Sequence, residues 1–254
     1  MRIVLTNDDG IEAPGLDVLE KIAAEISDDV WIVAPETDNS GAAHSLTLAE
    51  PLRMRQIGEK RFAVKGTPTD CVIMAVRSLL LDEPPDLILS GVNRGQNLAD
   101  DITYSGTVAG AIEGTLLGVR SMALSLVTGP MDQGVPIWDT PMAHGSDVVK
   151  KLLKAELPKG VMLNINFPDC QPDAVEGIEI TRQGERDSGL LNIDGRMDTR
   201  GRAYYWIGMG RQSSKPPEGT DLWAIAHQRI SVTPLCLDFT HQPTCDSLRA
   251  MLAP

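Results

Sequence analysis

The sequence predicts an α/β fold: a mostly parallel sheet covered by helices on both faces, with a β-hairpin arm near the C-terminus. Three observations predict it. Short runs of consecutive apolar residues recur between residues 3 and 127, segments with apolar residues at helical spacing lie between them, and from about residue 178 this alternation gives way to a polar, Gly-rich stretch. Strands that are apolar on both faces and alternate with helices belong to a parallel sheet buried between two helical layers.

The strands are expected at 3–6, 30–34, 87–91 and 121–127. A helix over 14–26 carries Leu16, Leu19, Ile22, Ala23 and Ile26 on one face, with Pro14 in its first turn. Residues 52–57 and 62–64, split by Gly-Glu-Lys, read as an inserted antiparallel hairpin. Thr69 is the expected N-cap of a helix through Leu81, ended by Pro84-Pro85. A further helix starts near Ser105-Gly106-Thr107 and carries Val108, Ala111, Ile112 and Leu116; another spans 142–157, before a strand at 161–165. The stretch 219–235 alternates like a strand, and a last helix covers 245–252. The resulting division is a core over 1–180, a protruding arm over 181–230, and a strand and helix over 231–254 that return to the core.

Composition narrows the function. The 254 residues are 42% hydrophobic and 23% charged, with 4% aromatics and a net charge of −12. That balance suits a globular protein and argues against a stable nucleic-acid complex or binding to an anionic membrane, both of which need a basic surface. A small phosphorylated ligand stays compatible, because a local cation reverses the field inside an acidic protein. Cys71, Cys170, Cys236 and Cys245 are scattered with no CxxC pair, which speaks against zinc and against a disulfide framework. With no window approaching 18 uninterrupted apolar residues and no basic leader, the expected location is a reducing cytoplasm, away from membranes.

Four oxygen-rich loops follow strands: Asn7-Asp8-Asp9-Gly10, Asn39-Ser40-Gly41, Asn93 through Asn97, and Tyr104-Ser105-Gly106-Thr107. Ligands of parallel sheets gather at the carboxyl ends of the strands. Carboxylates, hydroxyls and amide carbonyls are hard donors suited to Mg²⁺ or Mn²⁺. Adjacent carboxylates at a strand end fit a turn as well as a metal or phosphate site, and Ser40, Asn93 and Asn97 taken singly fit turns or caps. Ser105-Gly106-Thr107, ahead of a helix, fits a plain N-cap or an anion site made of free backbone N–H groups.

"LTNDDGIEAPGL" (5–16), "SGVNRGQNL" (90–98) and "YSGTVAGAIEG" (104–114) resemble the survival protein E (SurE) family of metal-dependent 5′/3′-nucleotidases, and "VKGTPTDCV" (64–72) and "GTDLWAIAHQRISVTPL" (219–235) support the match. The resemblance implies a Rossmann-like three-layer α/β/α sandwich and hydrolysis of nucleoside monophosphates to nucleoside and phosphate. It implies one divalent cation per subunit, Mg or Mn, on Asp8, Asp9, Ser40 and Asn93, and phosphate on Asn97, Ser105, Gly106 and Thr107. Asp8 and Asp9 are the catalytic candidates, with Asp8 orienting or deprotonating the attacking water; an aspartyl-phosphate on either is the mechanistic alternative. The arm would be exchanged between subunits, giving a dimer or tetramer. Ala99 stands where the family often has Gly, and the surroundings of Ser40 match less closely; His44 in that loop is either a proton donor or substrate contact, or a solvent-facing residue without a role.

Other classes fit less well. A signalling receiver needs a phosphoacceptor Asp at the end of a later strand, where this chain has Ser90, and a dinucleotide-dependent oxidoreductase needs a GxGxxG turn that "NDDGIEAPG" lacks. A non-catalytic, metal-dependent nucleotide-binding protein remains the alternative, separable by phosphate release.

Overall fold

The computed structural model describes residues 1–129, 135–186, 191–209 and 215–253. The elements in chain order are β1 (Arg2–Thr6), α1 (Pro14–Ala24), β2 (Asp29–Pro35), the hairpin β3 (Arg53–Gly58) and β4 (Arg61–Lys65), and α2 (Pro68–Met74). They continue with β5 (Leu87–Arg94), α3 (Gly106–Leu116), β6 (Arg120–Leu126), α4 (Asp139–Leu152), β7 (Val161–Phe167) and β8 (Ile178–Ile180). The chain finishes with β9 (Leu191–Met197), β10 (Ala203–Met209), α5 (Asp221–Ala226), β11 (Ile230–Cys236) and α6 (Gln242–Leu252).

Among the described residues nine strands form one sheet in the order β3-β4-β2-β1-β5-β6-β7-β11-β8. The run from β4 to β7 is parallel, while β3 and β11 pair antiparallel with β4 and β7. This is the α/β/α architecture expected. The apolar runs that predict it are its centre: Ile3, Val4, Leu5, Leu87, Ile88 and Leu89 are all fully buried. Leu16, Leu19 and Ile22 of α1 join Val148 and Val149 of α4 in one apolar cluster, and Cys71, Val72 and Val76 pack with Val4, Val33 and Ile88 in another.

β1 has β2 on one side and β5 on the other, so the connections leave it in opposite directions. The loops after β1 and β5 therefore face each other across the point where such sheets bind ligands. α3 reaches this point along glycines at every fourth residue. A Cβ on Gly110 would come within 2.8 Å of Ser90 Oγ, and one on Gly114 within 2.3 Å of Ser121 Oγ.

Several boundaries differ from expectation. Thr67, not Thr69, caps α2: its hydroxyl accepts from Asp70 N while Asp70 Oδ2 accepts from Thr67 N, a capping box reinforced by Pro68 at the first helical position. Thr69 points inward and is fully buried. The α-helix ends at Met74, and Ala75–Leu79 is a π-turn. α4 starts at Asp139 and stops at Leu152, where the Arg120 guanidinium takes the carbonyls of Leu153 (2.6 Å) and Ala155. The alternating 219–235 stretch is a short helix and then a strand, because Thr220 caps Trp223 N at 3.2 Å and starts α5.

Of residues 181–230, β9 and β10 form a separate antiparallel ribbon. Its flanks return to the main body: Arg182 N bonds to Gly219 O, Asp221 N to Arg182 O, and Ala224 of α5 is fully buried. Leu222, Trp223 and Ile225 thus sit on α5 beside the core, whereas Tyr204, Tyr205 and Trp206 are on the ribbon. The 187–190 and 210–214 parts of the expected arm lie outside the described residues.

Candidate functional site

The chain leaves β1 at Thr6 and turns at once. Gly10 has φ +103, a conformation glycine adopts without strain, and its carbonyl accepts from Asn7 Nδ2 at 2.8 Å. The turn buries Asp8, 4% exposed, against the N-terminus of α3. Thr107 Oγ1 donates to Asp8 Oδ1 at 2.5 Å. A Cβ on Gly106 would lie 2.7 Å from Asp8 Cβ and 2.9 Å from Oδ2, so glycine there is what lets the carboxylate settle onto the helix end. Ser105 Oγ caps Val108 N at 3.0 Å.

Asp9 lies beside it and accepts from Arg94 N at 3.1 Å. Burial, followed by the charge of Asp8, pushes the Asp9 carboxyl up to about 7, and burial likewise raises Asp8 against the opposing bond from Thr107. Asp38 adds a further negative charge felt by both. The sequence reading missed Asp38, although "ETDNS" carries it two residues before Ser40. Asp38 Oδ1 accepts from Ser40 N (2.7 Å) and Ser40 Oγ (2.6 Å), while Asn39 N donates to Asp8 O at 2.8 Å. The Asn39–Asp8 bond holds the Ser40 loop to the Asp8 loop, and Asp38 braces Ser40 within it.

Asn93 is reached through a register shift in β5 between Ser90 and Asn93. Gly91, φ +137, passes so close to β6 that a Cβ would meet Leu124 O at 2.1 Å. Such irregularities re-aim side chains at sheet ends. Asn93 Nδ2 donates to Gly95 O at 2.9 Å, which leaves the amide oxygen for another partner.

Asn97 is buried on the neighbouring strand ends. Its Nδ2 donates to Ser125 Oγ (2.8 Å), its N–H to Asn166 Oδ1 (2.9 Å), and its carbonyl accepts from Asn164 and Asn166. Ala99 has a left-handed backbone at φ +51. His44 Nε2 meets Glu113 Oε2 at 2.9 Å, and Ala43 N donates to Tyr104 O, so the His44 loop is tied to α3 and its approach. Sixty-nine residues separate His44 from Glu113, and nothing in the sequence marks the pair.

The donors converging here are carboxylate, hydroxyl and amide oxygens; among the described residues no three His, Cys, Asp or Glu side chains form a metal cluster. Adjacent carboxylates, Asp8 buried and Asp9 half-buried, with Asp38 close by and a buried Asn7 Oδ1 without a partner, suit a hard cation rather than a soft one.

A sequence model described as "Survival protein SurE" matches residues 3–189. The chain belongs to the SurE family. It is 59% identical to the 5′-nucleotidase SurE of Methylobacterium nodulans, over 96% of both chains. Identity is 59% to that of Azorhizobium caulinodans (96% of this chain, 95% of the other) and 56% to that of Parvibaculum lavamentivorans (99% and 91%). The crystal structure of the SurE protein from Aquifex aeolicus superposes with a TM-score of 0.86 at 38% identity, covering all of both chains. The SurE match spans β1, β5 and α3, the elements whose ends build this site.

Proposed function

We infer that the protein is a nucleotidase, a phosphomonoesterase that releases phosphate from nucleoside 5′- and 3′-monophosphates at the β1/β5 edge of the sheet. The near-full-length relatives named 5′-nucleotidase SurE support the activity. The observation that supports the site is the seating of Asp8 on the N-terminus of α3, with Asp9 at its side. Asp8, Asp9, Ser40 and Asn93 hold one divalent cation per subunit, Mg or Mn. When bound, such an ion lowers the pKa of water toward neutrality and offsets charge in the transition state. Ser105, Gly106 and Thr107 present the positive end of α3 to the phosphate, and Asn97 shapes the loop beside it. Asp8 orients the attacking water and takes its proton. Thr107 serves both halves of the site, since its hydroxyl fixes Asp8.

Phosphate release from a panel of nucleoside monophosphates, with chelator and then with added Mg²⁺ or Mn²⁺, tests this reading. Turnover that stops with chelator and returns with the ion is expected; full turnover in excess chelator overturns the metal assignment, and tight nucleotide binding without release makes the protein a binding subunit.

The β9–β10 ribbon serves self-association. Ile193, Met197, Tyr205, Trp206 and Ile207 are each more than 60% exposed on it, and a two-stranded ribbon is marginal alone in water. A second copy covers these residues, which makes the protein a dimer or tetramer. Tyr205→Glu with Trp206→Glu should yield a monomer by sedimentation. None of the described helices is long and apolar enough to cross a membrane, and the four unpaired cysteines support a reducing, cytoplasmic setting.

A further inference from the structure

A nucleotide whose phosphate rests at the N-terminus of α3, beside Asp8, must place its nucleoside in an adjoining cavity. Two cavities adjoin the site. One, of about 370 Å³, touches Ser105 and is walled by Ile112, Leu116 and Phe239. The other, of about 690 Å³, opens from Asp9 and is lined by Glu12, Glu36, Arg94, Pro136 and Trp138. We propose that the Asp9 cavity is the nucleobase subsite of the enzyme, with Trp138 as the surface on which the base stacks. The proposal rests on the nucleotidase reading above and adds to it the position of the base.

Three features of the cavity carry it. First, Trp138 is a fixed platform. The ring packs against the main apolar cluster while still lining the cavity, and a Cβ on Gly15 would lie 3.0 Å from Trp138 Cη2. A flat, pre-positioned aromatic ring is what a base of any identity stacks on. Second, the polar lining is mixed. A base and ribose bring both donors and acceptors; Glu12 and Glu36 accept, and Arg94 donates. The smaller cavity offers His44, Thr103 and Ser105 among mostly aliphatic side chains, with no carboxylate or guanidinium in its lining. Third, the charge suits an uncharged group. Beyond Asp9, which the cation neutralises, two carboxylates (Glu12, Glu36) against one guanidinium (Arg94) disfavour a second phosphate, so this end of the substrate is the neutral nucleoside rather than a further nucleotide. The same carboxylates favour bases carrying an exocyclic amino group, adenine above uracil.

Trp138→Ala separates the alternatives. With adenosine monophosphate, KM should rise roughly ten-fold, as for loss of a base–aromatic stack, while kcat stays within two-fold. Inhibition by inorganic phosphate, which has no base, should be unchanged. Trp138→Phe should recover most of the affinity. An unchanged KM, or equal weakening of adenosine monophosphate and phosphate, overturns the proposal; so does a KM increase confined to Phe239→Ala, which would move the base to the other cavity. A second measurement needs no turnover. Free adenosine should quench the indole fluorescence of the unmodified protein, and the quench should vanish in Trp138→Phe. If phosphate release fails in the unmodified protein while this quench is present, the catalytic reading falls and the subsite stands; absence of the quench in a protein that does hydrolyse nucleotides overturns the subsite alone.

Discussion

Asp221 and Asp8 are carboxylates of similar burial in very different company. Asp221, at the start of α5, is fully buried. Its Oδ1 accepts from Gly184 N (2.8 Å) and Leu222 N (2.7 Å), and its Oδ2 from Ala99 N (2.8 Å). It ties three segments together and needs no further partner. Asp8 takes the Thr107 hydroxyl and the backbone N–H groups of Asp8 and Thr107, Asp9 takes the Arg94 N–H, and Asp9 feels the negative charge of Asp8 while both feel that of Asp38. Burial raises the carboxyl pKa at both places. The direction of the shift therefore does not tell the two arrangements apart. The neighbouring charge does: Asp9 faces Asp8 and both face Asp38, whereas the causes at Asp221 are burial and backbone bonds alone.

The comparison is broken most severely by Asp8→Asn. Turnover should fall by roughly 10²-fold or more, since cation and water lose one ligand and one base together, while the protein stays folded. Asp221→Ala should do the reverse. It orphans three backbone N–H groups at about 1–3 kcal/mol each, so urea denaturation should reveal a loss of about 3 kcal/mol or more.

A pH series sharpens the contrast. In the metal-free protein the Asp9 carboxyl titrates near 7, above its ordinary value near 4. Between those values the folded protein binds a proton that the unfolded chain has released, so stability declines as pH rises from about 4 to about 7 and then levels. Denaturation in chelator at pH 5 and pH 8 should show the decline, and Asp9→Asn should flatten it. Saturating Mn²⁺ should offset it by binding the ionised form. The smallest effect belongs to a partner of Asp221. Ala99 sits at φ +51, which costs an alanine about 1–2 kcal/mol, partly offset by the extra unfolded-state freedom of glycine. Ala99→Gly should therefore raise stability by about 0.5 kcal/mol, within reach of careful denaturation curves.

What the sequence made legible follows physical lines. β1, β2, β5, β6 and β7 were readable because burial on both faces writes mostly apolar runs, broken in β7 only by Asn164 and Asn166 and in β6 by Ser121 and Ser125, and the Asp8, Asn93 and Thr107 loops because each carries a distinctive motif at a strand or helix end. The cap of α2 was misread because Thr67 and Thr69 are equally good caps; only the reciprocal bond from Asp70 decides between them. α5 has six residues, too few for helical periodicity to outweigh alternation. Asp221 and the His44–Glu113 pair were invisible because their partners lie far away in the chain or are backbone groups, which leave no trace in side-chain patterns.

The glycine row on α3 bears on the order in which the molecule is assembled. Gly110 and Gly114 let the helix lie flush on the sheet, and each weakens an isolated helix by about 1 kcal/mol relative to alanine. A peptide of residues 105–117 should accordingly give no helical circular dichroism in water, being short as well as glycine-rich. α3 then becomes a helix only on a surface already laid down by β1, β5 and β6. The dipole at Ser105–Thr107 then arises in the same step that presses Gly106 against Asp8, on a strand end already in place.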